Sequence, residues 1–139
     1  MEGATHQHET ELEVRDYECD LQGVVNNAIY LHYLEHARHR WLEEVGLDFA
    51  ALHAEGIDLV AVRIEIDYRY PLRSRDRFVV RSQLRREGRL KIVIHQEIRL
   101  LSDNRLVAQA KVVVACLRNG RPSAPEQVFS VFDRIAQRE

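Results

Sequence analysis

The 139-residue sequence predicts an α+β domain in which an antiparallel sheet wraps around one long central helix. Three observations predict it. Between Ile29 and Val45, apolar residues recur at helical spacing for about five turns. From Val60 onward the period falls to two and holds through four consecutive runs. Short turns separate those runs, which joins neighbours antiparallel and leaves no room for crossover helices.

Residues 1–10 are polar and are expected to form a flexible N-terminus, ahead of a single domain over 11–139. Leu12 and Val14 alternate with charges, which predicts a short first strand from Leu12 to Tyr17 before Gly23 interrupts it. Ile29, Tyr30, Tyr33, Leu34, Ala37, Trp41, Leu42 and Val45 then mark one helical face. Asn26 or Asn27 is a natural N-cap for this helix, and Gly46 is a natural stop. A second short helix fits Phe49 to His53, ending near Gly56.

In the first long strand Val60, Val62, Ile64, Ile66, Tyr68 and Tyr70 are expected to share a face. Arg63, Glu65, Asp67 and Arg69 take the other face, and Pro71 halts the run. Phe78, Val80 and Leu84 make a weaker strand, closed by the turn Glu87-Gly88-Arg89. Ile92, Ile94, Ile98 and Leu100 form the next, and Leu106, Ala108, Ala110, Val112, Val114 and Cys116 the last. Ser123-Ala124-Pro125-Glu126 has capping-box spacing, and Val128, Val131, Phe132 and Ile135 share a face of the helix it would start.

Composition removes several function classes. Hydrophobic residues make up 45% of the chain, enough for a core. Lys plus Arg number 20 against 22 Asp plus Glu, a net charge of −2 that argues against a dedicated nucleic-acid binder. The opening MEGATHQHETE has no apolar run, and the longest such run, Val112 to Leu117, is too short for membrane insertion. The two cysteines, Cys19 and Cys116, have no metal-type spacing and make no disulfide framework, which points to a reducing cytoplasm.

The segment from Val14 to Tyr30 carries the chemistry. Asp16, Glu18 and Asp20 crowd before the turn at Gly23, and Asn26-Asn27 stand where the helix must begin. A helix N-terminus presents unpaired N–H groups and partial positive charge, which can polarise a carbonyl. A carboxylate held beside it can attack that carbonyl or activate water. By spacing alone, the same residues can equally serve only as caps and turn formers.

This segment resembles the signature of the 4-hydroxybenzoyl-CoA thioesterase family. There an aspartate is followed by glycine, two apolar residues and a helix start; here these are Asp20, Gly23-Val24-Val25, Asn26-Asn27 and Tyr30. Tyr33-Leu34-Glu35-His36-Ala37-Arg38 resembles the family's helix run, and Ile66 to Leu72 with Asp76 its second block. Arg75 departs from it, since the family usually has glycine there. The likeness spans about residues 11–118 and is nearest in motif to plant methylketone-synthase-type acyl-carrier-protein thioesterases. The bacterial acyl-CoA enzymes associated with the Tol-Pal system have Tyr-His in place of Asn26-Asn27.

The resemblance implies a hotdog fold and a thioesterase acting on acyl-CoA or acyl-ACP. Asp20 would be nucleophile or general base, and the backbone N–H of Asn27 would polarise the thioester carbonyl. Gly23, Val25, Asn26 and Tyr30 would form the substrate site. No cofactor is implied, and the assembly would be a homodimer or homotetramer with its sites at subunit interfaces.

Other signals carry rival readings. His32 and His36 sit at i and i+4 in an H-x-x-E-H pattern, the basis of a metal-dependent hydrolase reading, although no convincing third ligand follows. Arg85, Arg86, Arg89 and Lys91 cluster around one turn and are a candidate site for the phosphates of coenzyme A. A hotdog protein that binds an acyl thioester without cleaving it is the non-enzymatic alternative.

Overall fold

Asn26 caps the long helix: its side chain accepts a 2.9 Å hydrogen bond from the Ala28 N–H, and the helix, α1, runs Asn27–Glu44. It ends where Gly46 turns the chain at φ 88°. A short helix α2 (Phe49–Ala54) follows, capped by Asp48 through the N–H groups of Ala50 and Ala51. The computed structural model describes residues 6–138.

The strands are β1 (His6–Glu13), β2 (Ile57–Tyr68), β3 (Arg77–Glu87), β4 (Lys91–Leu100), β5 (Leu106–Arg118) and the short β6 (Arg121–Pro122). They form one antiparallel sheet in the order β1-β3-β4-β5-β2, with β6 beside β5. The consecutive hairpins β3-β4-β5 follow from the short turns. The placing of β2 and β1 at opposite edges was not readable from the sequence.

The sheet curls around α1. Tyr30, Tyr33, Leu34 and Ala37 pack with Phe78, Val80, Ile98 and Val107 in one apolar cluster. Trp41 and Leu42 pack with Leu84, Ile92, Val112 and Phe132 in a second. Between the two lies a polar seam. Gln96 donates to the Leu34 carbonyl at 3.1 Å and to Ser82 Oγ at 3.0 Å, while its Oε1 accepts from Arg38 at 3.0 Å.

Four expectations need correction. The segment around residues 6–10 is not a frayed end, because His6–Thr10 lie in β1, paired from His6↔Leu84 to Thr10↔Val80. Its inward positions are histidines rather than aliphatics: His8 stacks on Trp41 at 5.6 Å and pairs with Glu44 at 2.7 Å, and His6 reaches Asp133 at 3.2 Å. The strand also ends at Glu13, and residues Asp16–Glu18 form a single 3-10 turn. Residues 1–5 of the expected flexible segment lie outside the described residues.

In β2 a bulge between Ala61 and Arg63 breaks the two-residue period. Ile64, Ile66 and Tyr68 pair with Val112, Ala110 and Ala108, on the face that α1 covers, whereas Val60 pairs with Ala115 on the opposite face. The last helix, α3, spans Glu126–Arg138, so Ser123 is not its cap; the Ser123 N–H instead donates to the Cys116 carbonyl. Val128, Phe129 and Phe132 of α3 are buried against the second cluster. No helix among the described residues is long and apolar enough to cross a membrane.

Candidate active site

The chain between β1 and α1 folds back on itself as a tight hairpin. The Asp20 N–H donates to the Val24 carbonyl at 2.8 Å, Cys19 bridges Val25, and the Asn26 N–H donates to the Glu18 carbonyl at 3.2 Å. Gly23, at φ 80°, supplies the left-handed residue that closes the turn. Asp20 therefore stands across from Val24, in the hairpin that leads into the helix.

Asp20 is exposed, and its two carboxylate oxygens differ. Oδ1 accepts from the N–H of Gln22 at 2.9 Å and from that of Val24 at 3.4 Å. Oδ2 accepts no hydrogen bond among the described residues. One oxygen thus fixes the carboxylate in the turn, and the other, on an exposed residue, is left without a donor among the described residues. The turn-forming and chemical readings of Asp20 are compatible in one side chain.

The helix N-terminus is nearly used up by its own cap. The Ala28 N–H is taken by the Asn26 side chain and the Ile29 N–H by the Asn26 carbonyl. The Asn27 N–H is left without a partner among the described residues, while the Asn27 carbonyl accepts from Tyr68 Oη at 3.2 Å. Asn26 spends its carboxamide oxygen on the cap, and its amide N–H₂ makes no hydrogen bond among the described residues.

The other expected substrate residues have mixed positions. Gly23 is exposed in the turn, whereas Val25 and Tyr30 are each 3% exposed and belong to the first apolar cluster. The Tyr30 hydroxyl accepts from the Leu72 N–H at 2.9 Å, and burial pushes its pKa up, so it remains a neutral phenol. Tyr33 donates to Glu18 at 2.8 Å, and Glu18 also accepts from the Arg15 N–H at 2.8 Å, which braces the hairpin from the helix side. Burial, then the charges of Asp16, Asp20 and Glu18, push the Cys19 thiol up, so it stays protonated at neutral pH.

The second sequence block buttresses this hairpin from the sheet side. The Val25 N–H donates to the Leu72 carbonyl, Val24 bridges Arg73, and the Val14 N–H donates to the Asp76 carbonyl. The Arg75 N–H returns to the Val14 carbonyl, and the Arg73 N–H donates to Asp76 Oδ2 at 2.9 Å. Arg73 and Arg75 are exposed beside the hairpin, and neither makes an ion pair among the described residues. Arg75 is the residue that stands where the resembling family usually has glycine, and neither arginine is among the expected site residues.

The basic cluster that is the candidate site for coenzyme A phosphates lies elsewhere. Arg85 and Arg86 end β3 and Lys91 begins β4, about 30 Å along the strand from the hairpin at 3.3 Å per residue. Arg85 pairs with Glu87, and Arg86 binds Glu126 and the Arg89 carbonyl while lying over the Phe129 ring. Within one chain these cations are not brought to Asp20. His32 and His36 are exposed on α1 beside a groove that Glu13, Asp16 and Glu18 also line. No three His, Cys, Asp or Glu side chains among the described residues are grouped to hold a metal ion.

Comparison with known proteins matches this architecture along its length. The thioesterase-like superfamily matches residues 14–132. The chloroplastic acyl-acyl carrier protein thioesterase ATL3 of Arabidopsis thaliana is 36% identical over 94% of this chain and 70% of its own. The long-chain acyl-CoA thioesterase FadM of Escherichia coli is 35% identical over 78% of this chain and 82% of its own. Among solved structures, a 1,4-dihydroxy-2-naphthoyl-CoA thioesterase from Synechocystis superposes with a TM-score of 0.87, covering 94% of this chain and 98% of that one. Its identity is 20%, so that likeness speaks for the hotdog fold alone. The probable thioesterase YbaW from Escherichia coli is 34% identical, with a TM-score of 0.76 over 85% of this chain and 90% of that one. With the match running unbroken through the Asp20 hairpin, the capped helix and the curled sheet, the chain belongs to the thioesterase-like superfamily.

Proposed function

We propose that the protein hydrolyses an acyl thioester of coenzyme A or acyl carrier protein, with Asp20 as its catalytic carboxylate. The observation that carries this reading is the pairing of an Asp20 Oδ2 that has no donor with a helix start whose Asn27 N–H has no partner, both among the described residues. A thioester carbonyl that accepts from Asn27 gains a donor and the positive end of an 18-residue helix where negative charge develops. Asp20 either takes a proton from the water that attacks the acyl carbon, or attacks it directly to form a mixed anhydride that a water then hydrolyses, so that one water is consumed in either case. The C–S bond breaks, the thiol leaves with a proton, and the acid is released.

A carboxylate is a weak base near neutrality, since its ordinary pKa is about 4. The reaction suits it because a thiolate leaves readily. Asn26 directs its amide N–H₂ toward the substrate or water, and Gly23 lets the acyl group approach the backbone without a side chain in the way. Val25 and Tyr30 act from below, by holding the hairpin and the first helical turn in register. The protein works as a homodimer or a homotetramer, because the β2 edge that Tyr68 ties to Asn27 is open to a second copy.

Thiol release from a panel of short, long, β-keto and aromatic acyl-CoAs, with and without a chelator, tests this. Turnover should survive chelation and fall at least ~10²-fold in Asp20→Asn. Binding of the same thioesters without turnover would favour the acyl-thioester-binding reading. Activity that chelation abolishes but Asp20→Asn retains would move the site to His32 and His36.

A further inference from the structure

Arg38 is the only charged residue among the buried ones described, at 9% exposure. It sits on the inner side of α1, in the seam between the two apolar clusters. Its one hydrogen bond among the described residues goes to a neutral group, Gln96 Oε1 at 3.0 Å. No carboxylate there lies within ion-pair distance of it. Gln96 has no freedom to do more, since its own N–H groups are committed to Leu34 and Ser82.

A buried guanidinium normally has a carboxylate or a set of acceptors, because desolvating the charge is costly. Among the described residues no buried side-chain nitrogen or oxygen lacks a hydrogen-bond partner. The unpaired nitrogens of Arg38 therefore still reach open space. That space is a cavity of about 140 Å³ whose walls are otherwise mostly apolar, with Leu42, Phe49, Ile94 and Val114 among them. The pocket opens to solvent past Glu35 and His39, and its volume is close to the roughly 150 Å³ that takes a benzene ring. Glu35, exposed at the rim, is the acid that bears on Arg38 electrostatically; burial lowers the pKa of the guanidinium, and Glu35 offsets this in part.

We propose that this cavity binds a small hydrophobic monocarboxylate, with its ring or short chain among Leu42, Phe49, Ile94 and Val114 and its carboxylate on Arg38. The ligand brings the counter-charge that Arg38 lacks, and its apolar part covers the apolar wall of the pocket. Benzoate and hexanoate have the right size and chemistry. The site lies about 16 Å along α1 from Asn27, at 1.5 Å per residue, so it is separate from the Asp20 hairpin. It goes beyond the proposed hydrolysis and does not need Asp20, although an acid of this class is what thioester hydrolysis releases.

Calorimetric titration of the full-length protein with benzoate, and with neutral benzyl alcohol as the control of like shape, tests the site. Benzoate should bind once per chain, at least ~10-fold tighter than benzyl alcohol, the order expected for a buried charge-assisted hydrogen bond. Arg38→Met should erase that difference. Glu35→Gln, a surface change that spares the core, should tighten benzoate several-fold by removing a competing carboxylate and leave benzyl alcohol unaffected. The proposal is overturned if benzoate shows no saturable binding, if benzyl alcohol matches it, or if Glu35→Gln leaves benzoate affinity unchanged. Asp20→Asn separates the two readings: lost turnover with benzoate still bound sustains both, while bound benzoate in a wild type that cleaves no thioester removes only the hydrolase.

Discussion

Arg75 holds a φ of 70°, in the region that suits glycine, because its N–H must reach back to the Val14 carbonyl while Ser74 beside it bonds Asp16. This gives a physical reason for the glycine that the resembling family usually carries there. Arg75→Gly should therefore change stability by less than about 1 kcal/mol, while Arg75→Val should cost more than that, because a β-branched side chain tolerates this torsion least. Urea denaturation of the pair checks it, and equal losses would mean the torsion is not strained. His95 makes a second case. On the outer face of β4 its pKa is lowered by burial, then by the charges of Arg85 and Lys111, with Glu87 opposing. The folded chain thus resists protonation more than the unfolded chain, whose histidine titrates near 6.5. The neutral ring's contribution is present above that pH and is lost as pH falls through the lowered folded value. His95→Gln should flatten the stability profile as pH falls below about 6.5, measured by thermal melts; a slope equal to wild type would discard the assignment.

The elements were legible in proportion to how far aliphatic side chains mark their inner faces. The helix α1 was readable because Tyr30, Leu34, Ala37 and Trp41 fall at helical spacing and Asn26 supplies the cap. The outer half of β1 was not, because His6, His8 and Thr10 occupy its inward positions and carboxylates or aromatic rings hold the two histidines there. In β2 the residue alternation is real but the faces are not, since the bulge at Ala61/Arg63 reverses which side each residue takes. The same limit acted on the candidate site. Asp20, Gly23, Asn26 and Asn27 are contiguous in the chain, so a local pattern found them. Arg73 and Arg75 join them only through the Val24 bridge and the Val14 hydrogen bonds, which no local pattern contains. Arg85, Arg86, Arg89 and Lys91 cluster in sequence because a hairpin tip gathers its own neighbours, and that says nothing of where the tip points.

At the scale of the whole molecule the two sheet edges are unequal. The β1 edge is short and polar, with Gln7, Glu9 and Glu11 outward, the kind of edge that discourages further pairing. The β2 edge runs 12 residues and exposes Val60, Val62, Ile64 and Tyr68 at 40, 55, 40 and 45%. We propose that this long apolar edge is where the chain associates with its copy, because antiparallel pairing of β2 with a second β2 would continue one sheet through both chains. Tyr68 ties that edge to the Asn27 carbonyl, so whatever covers β2 also closes over the helix start and the Asp20 hairpin. Val62→Lys with Ile64→Lys should therefore do two things together: halve the particle mass seen by light scattering, and sharply reduce thioester turnover although Asp20 is untouched. If the double variant stays at the wild-type mass, β2 is not the interface. If it becomes monomeric and still cleaves thioesters at the wild-type rate, each chain holds a complete site and the edge serves assembly alone.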